Sequence, residues 1–254
     1  MSVSKKSTRQ SRIMEIIRSL GYDTIENLAH NLSVSEQTIR RDIVELDQNN
    51  LLRRTHGGAA YSGELEATDL VRRRSVATNV KLRIARKVAE LVRDGDSVFL
   101  DAGTTIEAVA TALLERKDLK VVTYSVGVAY LLKDRTDFTV AIPGGFLRHI
   151  DGSVMGEPSS EFIKKFRFDV SVISASAIDS NGEMGDDDPW EVSNVRTAME
   201  RSTTTIMAVH SSKFFRTGLV TLGSVSDVDS IVTDQLPEGP LGDLMRQAAK
   251  TYVV

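Results

Sequence analysis

The sequence predicts an α/β protein with two domains, a small helical one at the N-terminus and a larger one built on a mostly parallel sheet. Up to about residue 60, apolar residues recur with the 3.6-residue period of helices. From about residue 80, short apolar runs alternate with amphipathic helices, which is typical of a parallel sheet covered by helices on both faces. We therefore predict domains at residues 1–60 and 79–254, joined by a linker at 61–78.

The first domain begins with an amphipathic helix and a short second helix. Gly21 is a natural end for the first helix, and Thr24 is a natural N-cap for the second. Each helix has one apolar face, and these faces carry Ile13, Ile16, Ile17, Leu20, Ile25, Leu28 and Ala29. A turn at residues 31–34 then leads into a third helix.

The third helix has the pattern of a helix that binds DNA. Ser35 is its N-cap, and Ile39, Ile43 and Leu46 recur at i, i+4 and i+7, so they pack inward. Gln and Arg on the other faces are side chains that make paired hydrogen bonds to adenine and guanine. A strand at 51–55 and a following glycine turn complete a winged helix-turn-helix. We expect DNA contacts from Ser35, Gln37, Thr38, Arg40, Arg41, Arg53, Arg54 and His56.

The charge distribution agrees with a nucleic-acid partner for this domain. The 254-residue chain has a net charge of −3, but residues 1–60 hold nine basic and seven acidic residues, against 23 and 28 in the rest. A small helical domain with a solvated charged face is the alternative. The arginines clustered on the third helix and the wing favour DNA binding. In the linker, the arginine run at 72–74 fits a DNA contact or a solvated connector equally well.

Composition excludes several other classes of protein. The chain has no cysteine, so it has no disulfide framework, thiol nucleophile or cysteine-based zinc site. Its four histidines show no metal-ligand spacing, and we predict no metal and no other cofactor. The N-terminus lacks an apolar signal core, and no apolar run approaches the roughly 20 residues of a membrane helix. We therefore expect a cytoplasmic protein that does not bind membranes.

Polar and glycine-rich residues follow the predicted strands of the second domain. These strands fall at 97–100, 121–123, 138–142, 170–175, 205–209, 219–222 and 231–232. In such sheets, ligands bind at the carboxyl ends of strands. Gly103-Thr104-Thr105, Ser125, Gly144-Gly145 and Lys213 all follow strands, and a helix N-terminus with exposed amides favours an anion. Together they indicate a phosphate and polyol site, although each alone is also typical of an ordinary turn or surface position.

An acidic run, Asp186-Asp187-Asp188, precedes Pro189-Trp190-Glu191. One interpretation is a solvated loop. The other is a lid whose carboxylates bind sugar hydroxyls, and a Mg²⁺ site there has no ligand spacing to support it.

Three motifs of the first domain resemble the DeoR family of bacterial repressors. They are Arg9-x-x-x-Ile13-x-x-x-Ile17, Ser35-x-x-Thr38-Ile39-Arg40-Arg41-Asp42-Ile43 and Arg54-x-His56-Gly57-Gly58-Ala59, and blocks of the second domain also match. The resemblance implies a second domain similar in fold to ribose-5-phosphate isomerase that senses a phosphorylated sugar. We expect effector contacts from Asp101, Gly103, Thr104, Thr105, Tyr124, Ser125, Gly144, Gly145, Arg148, Glu191, Arg196 and Lys213.

Two positions of the second domain depart from the family pattern. Tyr124 replaces the usual Asn of a Thr-Asn-Ser block, and His210 replaces the usual Asp before Ser-Ser-Lys. Tyr124 either stacks on a sugar or narrows the pocket, and the loss of the acid changes how Lys213 is held.

Two functions from different classes fit these features. The first is a repressor of a carbohydrate catabolic operon that leaves its double-stranded operator when a phosphorylated sugar binds. One recognition helix contacts few base pairs, so we expect a homodimer or homotetramer. The alternative is a sugar-phosphate isomerase-like enzyme with an appended DNA-binding module, whose candidate bases are Asp101, Asp179, Asp186 and Glu191. The complete DNA-binding module favours the regulator, so we predict no enzyme.

Overall fold

The computed structural model describes residues 5–20, 22–49, 51–55, 58–60, 78–148 and 151–254. The chain divides into two compact units, residues 1–72 and 73–254. The predicted linker boundaries stay a prediction, because residues 61–77 lie outside the described ranges.

The first unit is the expected winged helix-turn-helix. Its elements are α1 (Lys5–Leu20), β1 (Tyr22–Thr24), α2 (Ile25–Asn31), α3 (Glu36–Gln48), β2 (Arg53–Thr55) and β3 (Gly58–Ala60). The side chain of Thr24 accepts a hydrogen bond from the backbone N–H of Asn27 at 3.1 Å, so Thr24 is the N-cap of α2, as predicted. The wing strands β2 and β3 pair antiparallel. β1 adds a third strand beside β3. The sequence did not predict β1, because three residues are too few to show a periodic pattern.

One apolar cluster holds the first unit together. Its buried members come from all three helices, from the residue before β2 and from β3: Ile13, Ile17, Leu28, Ile39, Ile43, Leu46, Leu52 and Ala59. Burial of each large aliphatic side chain contributes about 1.5–3 kcal/mol. The i, i+4, i+7 stripe of α3 therefore points inward, together with Asp42, and Gln37, Arg40 and Arg41 are exposed.

The second unit is built on a seven-stranded sheet in the order β15-β14-β12-β9-β4-β5-β6. All neighbours in it pair in parallel. The strands are β4 (Ser97–Leu100), β5 (Lys120–Thr123), β6 (Thr139–Ala141), β9 (Phe168–Ile173), β12 (Ser202–Val209), β14 (Ser230–Thr233) and β15 (Lys250–Val253). This arrangement confirms the predicted α/β class.

Helices cover both faces of this sheet. They are α4 (Thr78–Leu91), α5 (Thr104–Leu113), α6 (Val126–Leu132), α7 (Glu157–Ile163), α8 (Pro189–Glu200) and α9 (Pro240–Ala248). Val98 and Leu100 of β4 share a cluster with α4, α5 and α6, whereas Phe99 between them packs in a cluster that includes residues of α7 and α8. Successive side chains of a strand point to opposite faces, so the alternation assigns the helices to two layers. None of the described helices is long and apolar enough to cross a membrane.

One predicted strand lies outside the main sheet. The segment predicted at 219–222 forms β13 (Val220–Ser224), which pairs antiparallel with β11 (Glu183–Asp186) in a small sheet completed by β10 (Ala177–Ile178). The strand itself was predicted, but its place in a separate antiparallel sheet was not. A short apolar run looks the same in either sheet, because strand direction depends on the connection and not on the run itself. A second unpredicted feature is the hairpin of β7 (Phe146–Leu147) and β8 (Val154–Met155).

The order of the strands marks a topological switch. From β4 the chain continues to β5 and β6 on one side, whereas β9 lies on the other side of β4 and is followed outward by β12, β14 and β15. Ligands of open α/β sheets bind outside the carboxyl ends of the strands at such a point. A ligand site is therefore expected among the residues that follow β4 and β9.

Candidate DNA interface and effector site

The third helix of the first unit presents a polar face on a well-specified start. The hydroxyl of Ser35 accepts a hydrogen bond from the backbone N–H of Thr38 at 3.3 Å and lies 2.9 Å from the Thr38 hydroxyl. Gln37, Arg40 and Arg41 are exposed. Arg40 pairs with Glu36 one turn earlier at 2.7 Å, with 59 % of its side chain exposed, so its guanidinium can exchange that surface pair for a base edge.

A buried ion pair fixes this helix to α1. Asp42 is 1 % exposed, and its carboxylate accepts hydrogen bonds from Arg9 Nε at 2.5 Å and Nη2 at 3.2 Å. Gln10 adds an amide donor to Asp42 and to Glu45. Sequence reasoning used Arg9 and Asp42 only as parts of a motif, and the structure gives them a role in orienting the DNA-facing helix.

The wing residues are only partly described. Arg53 and Arg54 belong to β2, but their side chains, like the whole of His56, lie outside the described part of the structure. Their proposed DNA contacts stay predictions.

In the second unit, Asp101 lies directly at the topological switch. It follows β4 and is 5 % exposed. Its carboxylate accepts the hydroxyl of Tyr124, which follows β5, at 2.5 Å and the backbone N–H of Ser174, which follows β9, at 2.9 Å. A third hydrogen bond comes from the N–H of Ala102 at 2.7 Å. Asp101 therefore joins the ends of three neighbouring strands.

Next to these strand ends, Arg148 lies at the centre of a carboxylate cluster. Its Nη1 donates to Asp188 at 2.8 Å and its Nη2 to Glu191 at 2.5 Å. Asp151 accepts from Nε at 2.9 Å and makes a second, shorter contact with Nη2. We name Arg148, Asp151, Asp188 and Glu191 the arginine cluster. Burial would lower the pKa of Arg148, but Asp151 and Glu191 raise it overall, so the guanidinium stays charged.

Two carboxyls at this edge hold their protons more tightly than usual. Burial raises the pKa of Glu191 to about 9, and the nearby carboxylate of Asp186 adds to the effect, while Arg148 opposes it. Burial also raises the pKa of Asp101 to about 6, against the hydrogen bonds from Tyr124 and Ser174. A carboxyl that is partly protonated can donate as well as accept, which suits hydroxyl groups of a polyol.

Each carboxylate of the acidic run has its own contact. Asp186 accepts from the backbone N–H of Asp187 at 2.7 Å, and Asp187 from the N–H of Leu219 at 3.3 Å. Asp188 is the N-cap of α8, accepts from the N–H of Trp190 at 2.8 Å and binds Arg148. The run therefore makes hydrogen bonds with the residue before β13 and with the arginine cluster. A loop whose carboxylates face only solvent would not make them. Arg148 supplies the cation among these acids.

The segment Gly103-Thr104-Thr105 opens α5 after β4. Gly103 is the N-cap, with φ of 109°, and no side chain caps the helix. A Cβ built on Gly103 would meet no atom within 4 Å, so there is open space beside the N-cap of α5. Uncapped amides at a helix start favour an anion. Ser125 instead caps α6, because its hydroxyl accepts from the N–H of Val128 at 3.3 Å.

Other predicted effector residues lie at different distances from this centre. Gly145 follows β6 with φ of 156°, and a Cβ there would lie 2.9 Å from the Met155 carbonyl oxygen. The absence of a side chain at Gly145 therefore permits the β7–β8 hairpin to close. A Cβ at the preceding Gly144 would meet no atom within 4 Å. Arg196 donates to the backbone carbonyls of Leu222 at 2.7 Å and Thr221 at 2.8 Å. Its guanidinium thus fastens α8 to β13, and no described contact joins it to the arginine cluster.

Lys213 lies in a 3₁₀ turn (Ser211–Lys213) after β12, two strands away from β4. His210 caps this turn, because its Nδ1 accepts from the N–H of Ser212 at 3.1 Å. His210, which replaces the family's usual Asp, therefore caps this turn through a ring nitrogen. Asp234, at the end of β14, binds Ser211 through its N–H and hydroxyl, both at 2.7 Å.

The structure therefore brings Asp101, Tyr124, Arg148 and Glu191 together, with Gly103 to Thr105 at the next helix start. Sequence reasoning named Asp188 only as part of the acidic run, and it missed Asp151 and Ser174. For Asp188 a signal existed, because an acidic residue followed by proline marks a helix N-cap. Asp151 and Ser174 carried none, since their roles depend on the hairpin and on a neighbouring strand.

Comparison with known proteins agrees with both units. Residues 9–64 match the DeoR-like helix-turn-helix domain, and residues 76–235 match the DeoR C terminal sensor domain. The Glycerol-3-phosphate regulon repressor of Escherichia coli (strain K12) is 42 % identical over 233 residues, which cover 92 % of each chain. The Lactose phosphotransferase system repressor of Lactococcus lactis subsp. lactis is 32 % identical over 90 % of this chain and 91 % of its own.

Among solved structures, ribose 5 phosphate isomerase A from Neisseria gonorrhoeae is 18 % identical over 55 % of this chain and 54 % of its own, with a TM-score of 0.40. The fold class rests on the sheet itself. The two repressors are similar over nearly their whole length, including the DNA-binding unit, and they identify a regulator of transcription and not an isomerase. The chain belongs to the DeoR family of transcriptional repressors.

Proposed function

We propose that the protein represses a carbohydrate catabolic operon and leaves its operator when a small phosphorylated polyol or sugar binds to the second unit. The observation that carries this proposal is the arginine cluster at the carboxyl ends of the strands, in the same chain as an exposed Gln and Arg face on α3. The first feature suits the hydroxyl groups of a ligand, and the second suits duplex DNA.

Two parts of the site suit the two ends of such a ligand, its hydroxyls and its phosphate. Carboxyls at Asp188 and Glu191 accept hydrogen bonds from sugar hydroxyls, and a protonated Glu191 also donates one. The uncapped turn at Gly103 and Thr104 suits a phosphate, which gains from the helix N-terminus. The remaining predicted effector contacts, including Lys213 and Arg196, belong to this proposal as positions to be tested.

The names of the relatives suggest a first ligand. The Escherichia coli relative and a second one from Haemophilus influenzae, 41 % identical over 97 % of this chain, are both named for the glycerol-3-phosphate regulon. Glycerol 3-phosphate carries one phosphate and two hydroxyls, so it offers both ends that the site requires. We take it as the first probe.

Release from DNA follows from linkage. A ligand shifts a protein away from its DNA-bound state only by as much as it binds the other state better. We further propose that the protein binds a double-stranded operator as a homodimer or homotetramer, since paired half-sites supply the affinity that one α3 helix lacks. It acts where the bacterial operator lies, in the cytoplasm.

The test is an operator-release titration. Operator DNA is first selected from a random duplex pool, and its complex with the full chain is followed by fluorescence anisotropy at fixed salt. Glycerol 3-phosphate is expected to release the DNA, whereas glycerol and inorganic phosphate at the same concentration are not. Sedimentation of the complex gives the number of chains. If no sugar or polyol phosphate changes the anisotropy, the proposed regulation is wrong.

A further inference from the structure

Asn194 carries a hydrogen-bond donor that has no partner. The residue lies on the buried face of α8 and is 1 % exposed. Its Nδ2 is sealed from solvent and donates a hydrogen bond to no atom in the described part of the chain. Such a donor is costly, because folding removes it from water without supplying a new acceptor. Native proteins contain few of these groups, so each one calls for a physical explanation.

The unpaired amide lies one turn from the arginine cluster. α8 begins at Pro189, so Glu191 is in its first turn and Asn194 is in the second. Residues three apart on a helix share a face, with about 5–6 Å between their Cβ atoms. Side chains of a helix also lean toward its N-terminus, so Asn194 leans toward the turn that carries Glu191. The carboxyl of Glu191 is therefore a neighbouring acceptor for the amide.

The other buried residues of α8 offer the amide no acceptor side chain. Val192 and Val195 pack in one apolar cluster, and Ala198 packs in a second one with Tyr124. Asn194 is thus a polar group in an apolar layer. An apolar residue would fill this place without leaving a donor unpaired, so packing alone does not explain an asparagine here.

Arg148 holds Glu191 in the arrangement that this structure shows. Oε1 of Glu191 accepts a hydrogen bond from Nη2 of Arg148 at 2.5 Å. A ligand hydroxyl that enters the arginine cluster can accept from Arg148 and donate to Glu191, because a hydroxyl does both. The hydroxyl then lies between the two side chains, and Glu191 loses the donor that it has here.

We propose that Asn194 is a positioning residue for the effector, and that it donates its unused N–H to Glu191 when a ligand hydroxyl comes between Glu191 and Arg148. This inference rests on the proposed function and adds the group that holds the hydroxyl-binding carboxyl in place. The new hydrogen bond forms only with the ligand, so it favours the liganded arrangement over the one described here. Asn194 acts through Glu191 and does not itself contact the ligand.

The first test is calorimetric titration of the full-length protein. The probes are glycerol 3-phosphate, ribose 5-phosphate and fructose 6-phosphate, and propyl phosphate has a phosphate without a hydroxyl. Asn194→Leu keeps a branched side chain and removes the donor. Thr197→Val is the matched control, because Thr197 is on the same helix and its hydroxyl already donates to the Ser193 carbonyl at 2.8 Å.

We expect Asn194→Leu to weaken the tightest hydroxylated probe by about tenfold, the usual effect of one hydrogen bond. Its affinity for propyl phosphate should equal that of the parent, whereas a general defect in packing would weaken both ligands. Thr197→Val should bind every probe as the parent does. Asn194→Ala also lacks the donor and should show the same loss, so it decides the matter if Asn194→Leu does not fold by circular dichroism.

The amide itself gives a second, direct measurement. In full-length protein with isotope-labelled asparagine, the side-chain NMR signals that are missing from Asn194→Leu, or from Asn194→Ala, belong to Asn194. The tightest hydroxylated probe should shift one of its two amide protons downfield, because that proton gains an acceptor. Inorganic phosphate should leave both protons where they are.

The results separate this inference from the function on which it rests. If the parent binds a hydroxylated probe and the variants without the amide bind it equally well, Asn194 does not position Glu191, and the proposed function still stands. The same holds if the probe binds without moving the Asn194 signals. If the parent binds none of the three sugar and polyol phosphates, both the inference and the proposed function are wrong.

Discussion

The phenolic oxygen of Tyr124 lies 2.5 Å from Oδ1 of Asp101, and this hydrogen bond joins the carboxyl ends of β4 and β5. The ring is 1 % exposed and stacks on Phe99, with 6.2 Å between the ring centroids. Tyr124 therefore fills space at the strand ends and does not present a face to a sugar. Asp101 accepts three hydrogen bonds from the protein, so it also positions the strand ends, and its contact with a ligand stays a prediction.

Removal of this hydroxyl should destabilise the second unit. We expect Tyr124→Phe to lower the free energy of unfolding by about 1–3 kcal/mol, because Asp101 then loses a donor in a buried place. Denaturant unfolding at neutral pH measures this difference in the free energy of unfolding. Tyr130→Phe is the control, since Tyr130 is 66 % exposed and its hydroxyl gains little from folding. Equal stability of both variants would show that the Tyr124 hydroxyl contributes nothing.

The raised pKa of Glu191 predicts a pH dependence of stability. Its pKa is about 9 in the folded protein, against an ordinary value of 4.5. Between these values the folded state keeps a proton that the unfolded state has lost. The stabilising contribution is therefore complete below pH 4.5 and is lost as the pH rises through 9, by at most about 1.4 kcal/mol per pH unit.

Glu191→Gln should abolish this loss. The amide keeps an acceptor for Arg148 and has no proton to lose, so its free energy of unfolding should fall less between pH 6 and pH 9 than that of the parent. Glu161→Gln, with a side chain that is 64 % exposed in the parent, is the control and should follow the parent curve. Parallel curves for all three proteins contradict the assignment.

The sequence could predict the helices, the strands and the residues that follow the strands, but it could not predict which side chains lie in contact. The periodicity of α3 and the apolar runs of β4 and β5 are local, and the structure has them where they were predicted. Arg148 meets Asp188 and Glu191 only because the β7–β8 hairpin folds back toward α8, and those contacts span about 40 residues of sequence. Lys81 and Thr104 line one groove because α4 packs beside α5. No local pattern contains such information.

The ion pair between α1 and α3 predicts how the DNA-binding unit loses stability. Arg9→Met leaves the carboxylate of Asp42 buried without its cation, so we expect a loss of about 2–3 kcal/mol. Lys6→Met removes an exposed pair with Glu45 between the same two helices and should cost less than about 1 kcal/mol. Urea unfolding of both variants is the measurement. If Lys6→Met lowers the free energy of unfolding more than Arg9→Met does, burial of an ion pair does not determine its contribution to stability.

The two classes of DNA contact predict different behaviour of two arginines. We expect Arg40, exposed on α3 opposite the buried stripe, and Gln37 to contact base edges, and Arg41, Arg53 and Arg54 to contact phosphates. Arg40→Ala should lose about 1–3 kcal/mol of discrimination between operator and random duplex. Arg53→Ala should weaken binding to both and reduce the slope of log K against log salt by about 1.

Anisotropy titrations over a range of salt concentrations separate these effects. Glu36→Gln is the informative control for Arg40, because it removes the partner that holds the guanidinium at 2.7 Å and leaves the arginine in place. If Arg40 contacts a base, Glu36→Gln keeps sequence preference while Arg40→Ala relaxes it. If Arg40→Ala loses the same affinity for operator and random DNA, with a shallower salt slope, then Arg40 contacts a phosphate and base recognition falls to other residues of α3.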